Sequence, residues 1–317
     1  MTIPHKKELM PRRDFIARAA KASVGVAAAG GGALWLHDRK GPAASAAGQI
    51  VVLPDFSVPA AGRKMSIIAG ADRVKTINRA MQALGGIEQF IKSGDHVVLK
   101  VNAAFASPPS LSATANPELI AEVARLCLKA GAASVIVTDN PINDPQSCFV
   151  LTGIEKAAKA AGAKLALPDT DSFQPTTVEN ARLIREWPLL YGPFRGATKL
   201  IGIAPVKDHH RSGASMTMKN WYGLLGGRRN IFHQDIHTII FELAKMVRPT
   251  FVILDGTRTM MSNGPTGGSL DDLKATNTMI VSTDQVAADA FGATLLGKTA
   301  ADLPFIDKAA AAGFGTA

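Results

Sequence analysis

From about residue 64 onward, short β-branched runs alternate with stretches of helical periodicity, and few architectures other than an α/β layered fold accommodate that order. His96-Val97-Val98-Leu99-Lys100-Val101 and Ser134-Val135-Ile136-Val137-Thr138 read as buried strands, apolar over most of their length because helices cover both faces of a parallel sheet. Between them, Asn116-Pro117-Glu118 supplies a capping side chain, a proline at the first helical position and an early acid. Ile120, Val123, Ala124 and Cys127 then share one helix face, and Gly131 ends the helix. This strand–helix–strand unit predicts a right-handed crossover. Further strands are expected at 164–167, 199–204, 251–254 and 278–282, and helices at 153–161, 236–247 and 285–295. The expected fold is α/β: an open, mainly parallel sheet with helices on both faces, one domain over 64–317, and an inserted sub-domain around 170–235.

Ahead of this domain, Pro11-Arg12-Arg13-Asp14-Phe15-Ile16-Ala17-Arg18-Ala19 and an uncharged Ala/Gly/Val run from Ala22 to Leu36 look like a twin-arginine export signal. The apolar run is about fifteen residues, short of the roughly twenty that span a bilayer. Ala44-Ser45-Ala46 supplies the small-x-small pattern of a signal-peptidase site. Residues 1–46 are therefore expected to be a signal and 47–63 a linker. The export machinery would be a partner and the destination periplasmic, or the membrane surface if the signal stays attached. Proteins on this route cross the membrane folded, often because a cofactor is loaded beforehand.

The charge argument changes with that assignment. The chain has 35 Lys plus Arg against 26 Asp plus Glu, but residues 1–46 hold eight of the bases and three of the acids. The remaining 27 bases against 23 acids, with only 6% aromatics, give no case for nucleic-acid binding. Two cysteines cannot ligate an iron–sulfur cluster or a four-cysteine zinc site, so chemistry must rest on oxygen and nitrogen groups. Cys127 falls on the apolar helix face, where a packed thiol is expected, and Cys148 falls in an expected loop.

Polar residues gather just past the carboxyl ends of the expected strands, where open parallel sheets place their ligands. Lys100 and Asn102 follow the first strand, Asp139-Asn140 the second, Lys207-Asp208-His209-His210 the strand at 199–204, and Asp255 the strand at 251–254. Lys207, Lys219, Arg228 and Arg229, with Gly223, Gly226 and Gly227 permitting close backbone approach, suit a phosphate or carboxylate group. His233 and His237 are four apart, a spacing that puts two imidazoles on one helix face, although no zincin glutamate accompanies them. Asn263-Gly264-Pro265-Thr266-Gly267-Gly268-Ser269 lacks the lysine and spacing of a P-loop and reads as a turn. Neither G-x-S-x-G nor G-x-G-x-x-G is found, so no serine nucleophile elbow or dinucleotide site is indicated.

In order along the chain, Val97 to Asn102, Asn116-Pro117-Glu118, Val137-Thr138-Asp139, Pro205-Val206-Lys207-Asp208-His209, Met218-Lys219-Asn220-Trp221-Tyr222-Gly223, Arg229 with His233, Leu254-Asp255-Gly256, Asn263-Gly264-Pro265 and Ser282-Thr283-Asp284 resemble the domain-of-unknown-function family 362, over about residues 65–297. The resemblance implies an α/β domain, commonly found in proteins tied to iron–sulfur modules or anaerobic redox settings. This chain departs from that arrangement in having no four-cysteine ferredoxin segment. Carried over by position, the family's polar residues are Lys100, Asn102, Asp139, Lys207, His209, Lys219, Asn220, Arg229, His233 and Asp255; His237 gains no such support.

The expected activity is that of an exported enzyme acting on a small anionic molecule. Lys100, Asn102, Lys207, Lys219, Asn220 and Arg229 would bind it, and His209 and His233 would be the acid–base groups. Asp139 and Asp255 would hold a divalent metal or orient a histidine. The alternative is a non-catalytic periplasmic protein that uses the same pocket to carry a metal or ligand for a redox partner protein.

Overall fold

Alternate residues of the central strands enter two separate cores, which is what a strand buried on both faces requires. Val97 and Leu99, Ile201 and Ile203, and Phe251 and Ile253 pack on one side, whereas Val98, Leu200, Val252 and Leu254 pack on the other. The structure is a computed structural model that describes residues 12–14, 16–18, 20–23 and 49–317. Residues 12–14, 16–18 and 20–23 are helical and exposed, and belong to a unit separate from residues 44–317. Most of the expected apolar run, and Ala44-Ser45-Ala46, lie outside the described residues.

In chain order the strands are β1 Met65–Ala69, β2 His96–Lys100, β3 Ser134–Thr138, β4 Lys164–Ala166, β5 Phe173–Thr176, β6 Trp187–Leu190, β7 Lys199–Lys207, β8 Phe251–Met260, β9 Leu273–Lys274 and β10 Thr278–Ser282. The main sheet has the order β1-β10-β8-β7-β2-β3-β4, with β9 added on β8. The five strands from β8 to β4 are parallel, and β10, β1 and β9 join antiparallel. The expected mainly parallel sheet is therefore present. Helices Arg73–Ala83, Pro117–Lys129 and Ile154–Ala160 cover one face, and Ile236–Met246, Gln285–Leu295 and Pro304–Ala311 the other. The cap expected at Asn116 forms, its side chain accepting from the backbone N–H groups of Glu118 and Leu119.

Three expectations need revision. The inserted element is narrower than 170–235: β5 and β6 make a separate two-stranded antiparallel sheet, but the buried run from Lys199 belongs to the main sheet as β7. Glu242, 2% exposed, fastens this insertion by accepting hydrogen bonds from the backbone N–H groups of Arg182, Leu183 and Ile184. Within the expected linker, Leu53 and Phe56 are buried in the core, and Val51 and Phe56 make backbone bonds to Pro175 and Arg248, because their apolar side chains are removed from water there. Cys148 lies in a helix, Pro145–Leu151, and not in an exposed loop. Burial pushes its thiol up to about 11 and that of Cys127 to about 12, so both are protonated packing groups.

The chain direction across the sheet reverses between β2 and β7. From β2 the strands run outward through β3 and β4, and from β7 through β8 on the opposite side. The crevice left at their carboxyl ends is the switch point at which open α/β sheets bind ligands. A register irregularity between Pro205 and Lys207 in the pairing of β7 with β8 sets the aim of Lys207 into this crevice.

Candidate functional site

A cleft of about 1580 Å³ occupies the switch point. The ends of β2, β3 and β7 supply Lys100, Asn102, Asp139, Lys207 and His209, and the segment 219–234 supplies Lys219, Asn220, Tyr222, Arg229 and His233. Nine of the ten residues expected from the sequence meet there. That segment is held by Asp289, which accepts from the backbone N–H groups of Thr217 and Met218 and from the Thr217 hydroxyl. Burial pushes the Asp289 carboxyl up to about 7.

Asp255 is the residue that does not join them. β8 continues to Met260, so Asp255 is inside a strand and not at its end, and its carboxylate meets Arg73 Nε at 2.6 Å. Asp139 is equally committed: it contacts Lys100 Nζ at 2.8 Å and accepts from the backbone N–H groups of Ala103 and Asn140. The two carboxylates expected to share a metal each neutralise a different cation, and among the described residues no group of three or more His, Cys, Asp or Glu side chains has a metal-holding arrangement. These donors do not fit the expected divalent ion. His237 also falls outside the cleft lining, its ring stacked on Phe305 at 6.0 Å between centroids.

The basic residues divide into those that build the site and those that can meet a ligand. Lys100 spends its ammonium on Asp139, the carbonyls of Val101 and Asn220 and the Asn220 Oδ1. Burial lowers its pKa and the adjacent carboxylate opposes that shift. Asn220 in turn donates to the carbonyls of Lys100 and Ile203. Arg229 directs its two terminal nitrogens at the carbonyls of Tyr222, Leu225, Asn140 and Pro141, tying two loops together. Gly223 is packed over the Lys100–Asp139 pair so closely that a Cβ there would stand 2.0 Å from Asp139 Oδ1.

Lys207 and Lys219 keep donors free. The Lys207 ammonium meets the Ala113 carbonyl at 2.6 Å and Asn102 Oδ1 at 3.4 Å, which uses two of its three N–H bonds. Lys219 lies 5.4 Å from the Tyr222 ring centroid and has no acceptor within hydrogen-bond range among the described residues. Burial, then the neighbouring cations, push Lys207 down to about 7 and Lys219 to about 8. One carboxylate, Asp139, therefore stands among Lys100, Lys207, Lys219 and Arg229 in the cleft.

The two histidines carry opposite tautomers, assigned from their hydrogen bonds. Nδ1 of His209 accepts from the backbone N–H groups of Arg211 and Ser212, so the ring proton of the neutral imidazole is on Nε2. Burial, reinforced by Lys219 and the nearby imidazoles, pushes His209 down to about 2 and keeps it neutral. Nδ1 of His233 faces the Asn230 carbonyl and the Tyr222 oxygen, whose own proton is directed at the Arg229 carbonyl. His233 therefore donates from Nδ1 and bears its lone pair on Nε2; burial lowers its pKa as well. The rings lie 5.9 Å apart between centroids and 21° from parallel.

Tyr222 and the loop Asn263–Gly267 also contribute, although the sequence showed them only within the motifs of the family resemblance and gave them no place in the site. The loop read as a plain turn lines the cleft. Its Gly264 is pressed against the Asp208 carbonyl, where a Cβ would come within 1.9 Å.

The chain is 26% identical over 243 residues to the thylakoid-associated protein sll1697 of Synechocystis sp. (strain ATCC 27184 / PCC 6803 / Kazusa), covering 72% of this chain and 70% of that protein. Among solved structures, the lactate racemase apoprotein from Thermoanaerobacterium thermosaccharolyticum aligns with a TM-score of 0.41 and 12% identity, over 75% of this chain and 58% of that one. The family model described as Domain of unknown function (DUF362) matches residues 97–294, the stretch that supplies every cleft residue named above, and the chain belongs to that family.

Proposed function

We propose that the protein is an enzyme that binds a small anionic substrate in the switch-point cleft, takes a proton from it with His233, and holds the charge that develops with the neutral N–H of His209. The observation that carries this reading is the charge imbalance of the cleft: six Lys and Arg side chains line it with a single carboxylate, Asp139, and among the described residues Lys219 has no hydrogen-bond acceptor. An anionic group supplies the missing counter-charge, and Lys219 with the third N–H of Lys207 are the donors free to take it. His233 offers a lone pair as general base, and the neutral His209 an N–H that hydrogen-bonds developing negative charge without being transferred. Lys100, Asn220 and Arg229 hold the frame, and Asn102 relays position to Lys207. No step is assigned to a metal, since Asp139 and Asp255 are separated and committed.

Export through the twin-arginine route is the second part of the proposal. It rests on Arg12-Arg13, Phe15-Ile16, the weakly apolar run after them and Ala44-Ser45-Ala46. Among the described residues no helix is long and apolar enough to cross a membrane.

Four outcomes are expected. In calorimetric titrations with malonate, Lys219→Gln weakens binding at least tenfold, the loss of roughly one charge-assisted hydrogen bond. Wild-type affinity falls as pH rises from 6 to 9, because the bound form needs lysines that deprotonate through about 7 to 8; a flat profile would remove both lysines from the binding role. With an anion that the protein turns over, found by screening phosphorylated and carboxylated metabolites, His209→Ala and His233→Ala each lower kcat by about 10²-fold or more. Their Kd should change by less than threefold, whereas a carrier without turnover would show its loss in binding. Finally, Arg12→Lys combined with Arg13→Lys leaves the full-length protein in the cytoplasmic fraction; undiminished export of that variant would refute the signal assignment.

A further inference from the structure

A second cavity, of about 420 Å³, lies between the start of the helix Arg73–Ala83, the loop before the helix Pro117–Lys129, and β8. The loop 102–116 separates it from the cleft: Asn102 and Phe105 line the cleft, while Ser112 and Asn116 line the second cavity. Two guanidinium groups, Arg73 and Arg258, form part of its wall. Arg73 is anchored through Nε to Asp255, which leaves its terminal nitrogens without an acceptor among the described residues. Arg258 is exposed and makes no ion pair among those residues.

Two hydroxyls line the same space without partners. Thr257 is 3% exposed and its Oγ1 is buried with no hydrogen bond. Ser112 is 6% exposed, and its Oγ makes no hydrogen bond among the described residues. Buried hydroxyls are ordinarily satisfied, so two without partners in the residues that wall one cavity point to an oxygen that the protein does not itself provide. Two helices also begin at this cavity, at Arg73 and Pro117, adding positive potential to that of the arginines. Guanidinium forks bind carboxylate and phosphate oxygens alike, and the further hydroxyl donors suit the larger number of oxygens on a phosphate.

We infer that this cavity is a second anion site, distinct from the cleft, that takes a phosphate group through Arg73, Arg258, Ser112 and Thr257. The test is a calorimetric titration of the full chain carrying Lys219→Gln, which weakens the cleft, with inorganic phosphate and with methyl phosphate. One phosphate group per chain should bind; the tighter of the two probes identifies whether free phosphate or a monoester is the natural form. Adding Arg258→Gln should weaken that binding at least tenfold and adding Thr257→Val severalfold. Because Arg258 is exposed, its variant should melt at the parent's Tm without phosphate. Absence of saturable binding in the Lys219→Gln protein, or an affinity indifferent to Arg258→Gln, would overturn the inference.

Discussion

A buried ammonium–carboxylate contact, Lys100 with Asp139, joins the ends of β2 and β3 beside the β2–β7 switch point, and the cleft is assembled around it. The two side chains are 1% and 2% exposed, so each would be costly alone and together they fix the separation of two strand ends. Lys100 recruits Asn220 by hydrogen bonds, and Asn220 brings the segment that carries Lys219, Tyr222, Arg229 and His233. Gly223 must be a glycine because this segment crosses directly over the pair. Removing one partner of such a contact is expected to cost about 3–5 kcal/mol, since the other charge is left buried and unpaired.

This arrangement separates structural cations from available ones. Arg229 resembles a ligand-binding arginine in sequence, yet its terminal nitrogens are consumed by four backbone carbonyls. Its charge still acts on the cleft through space, as does that of Lys100, and both help lower the pKa of Lys219. The consequence is a site whose positive potential comes from fixed groups while its direct donors, Lys207 and Lys219, titrate near neutrality. In the proposed reading, anion binding falls to these lysines and proton abstraction to His233, so the two draw on different residues.

Much of this was legible in the sequence. β3 and β10 fall where apolar β-branched runs place them, and the Asn116 cap and Gly131 stop follow from local chemistry. The cleft residues were legible because parallel strands deliver whatever follows them to one edge. β1 was harder to read, since it is an outer strand with Met65 and Ile67 exposed, and β5 and β6 each contain a proline and form a separate two-stranded sheet. Asp255 was misplaced because nothing local shows that β8 runs on to Met260, or that Arg73, 182 positions earlier, reaches its carboxylate. The tautomers of His209 and His233 depend on backbone groups positioned by the tertiary fold, which no spacing rule encodes.

The most direct test of the account is a nitrogen-15 NMR titration of the histidine side chains in the full-length protein, with and without a bound anion. The account predicts that His209 stays neutral with its proton on Nε2 from pH 8 down to pH 4, while His233 is neutral at pH 7 with its proton on Nδ1. A His209 that protonates near pH 6.5, or two histidines sharing one tautomer, would contradict the pairing of hydrogen-bond donor and base on which the proposed chemistry depends.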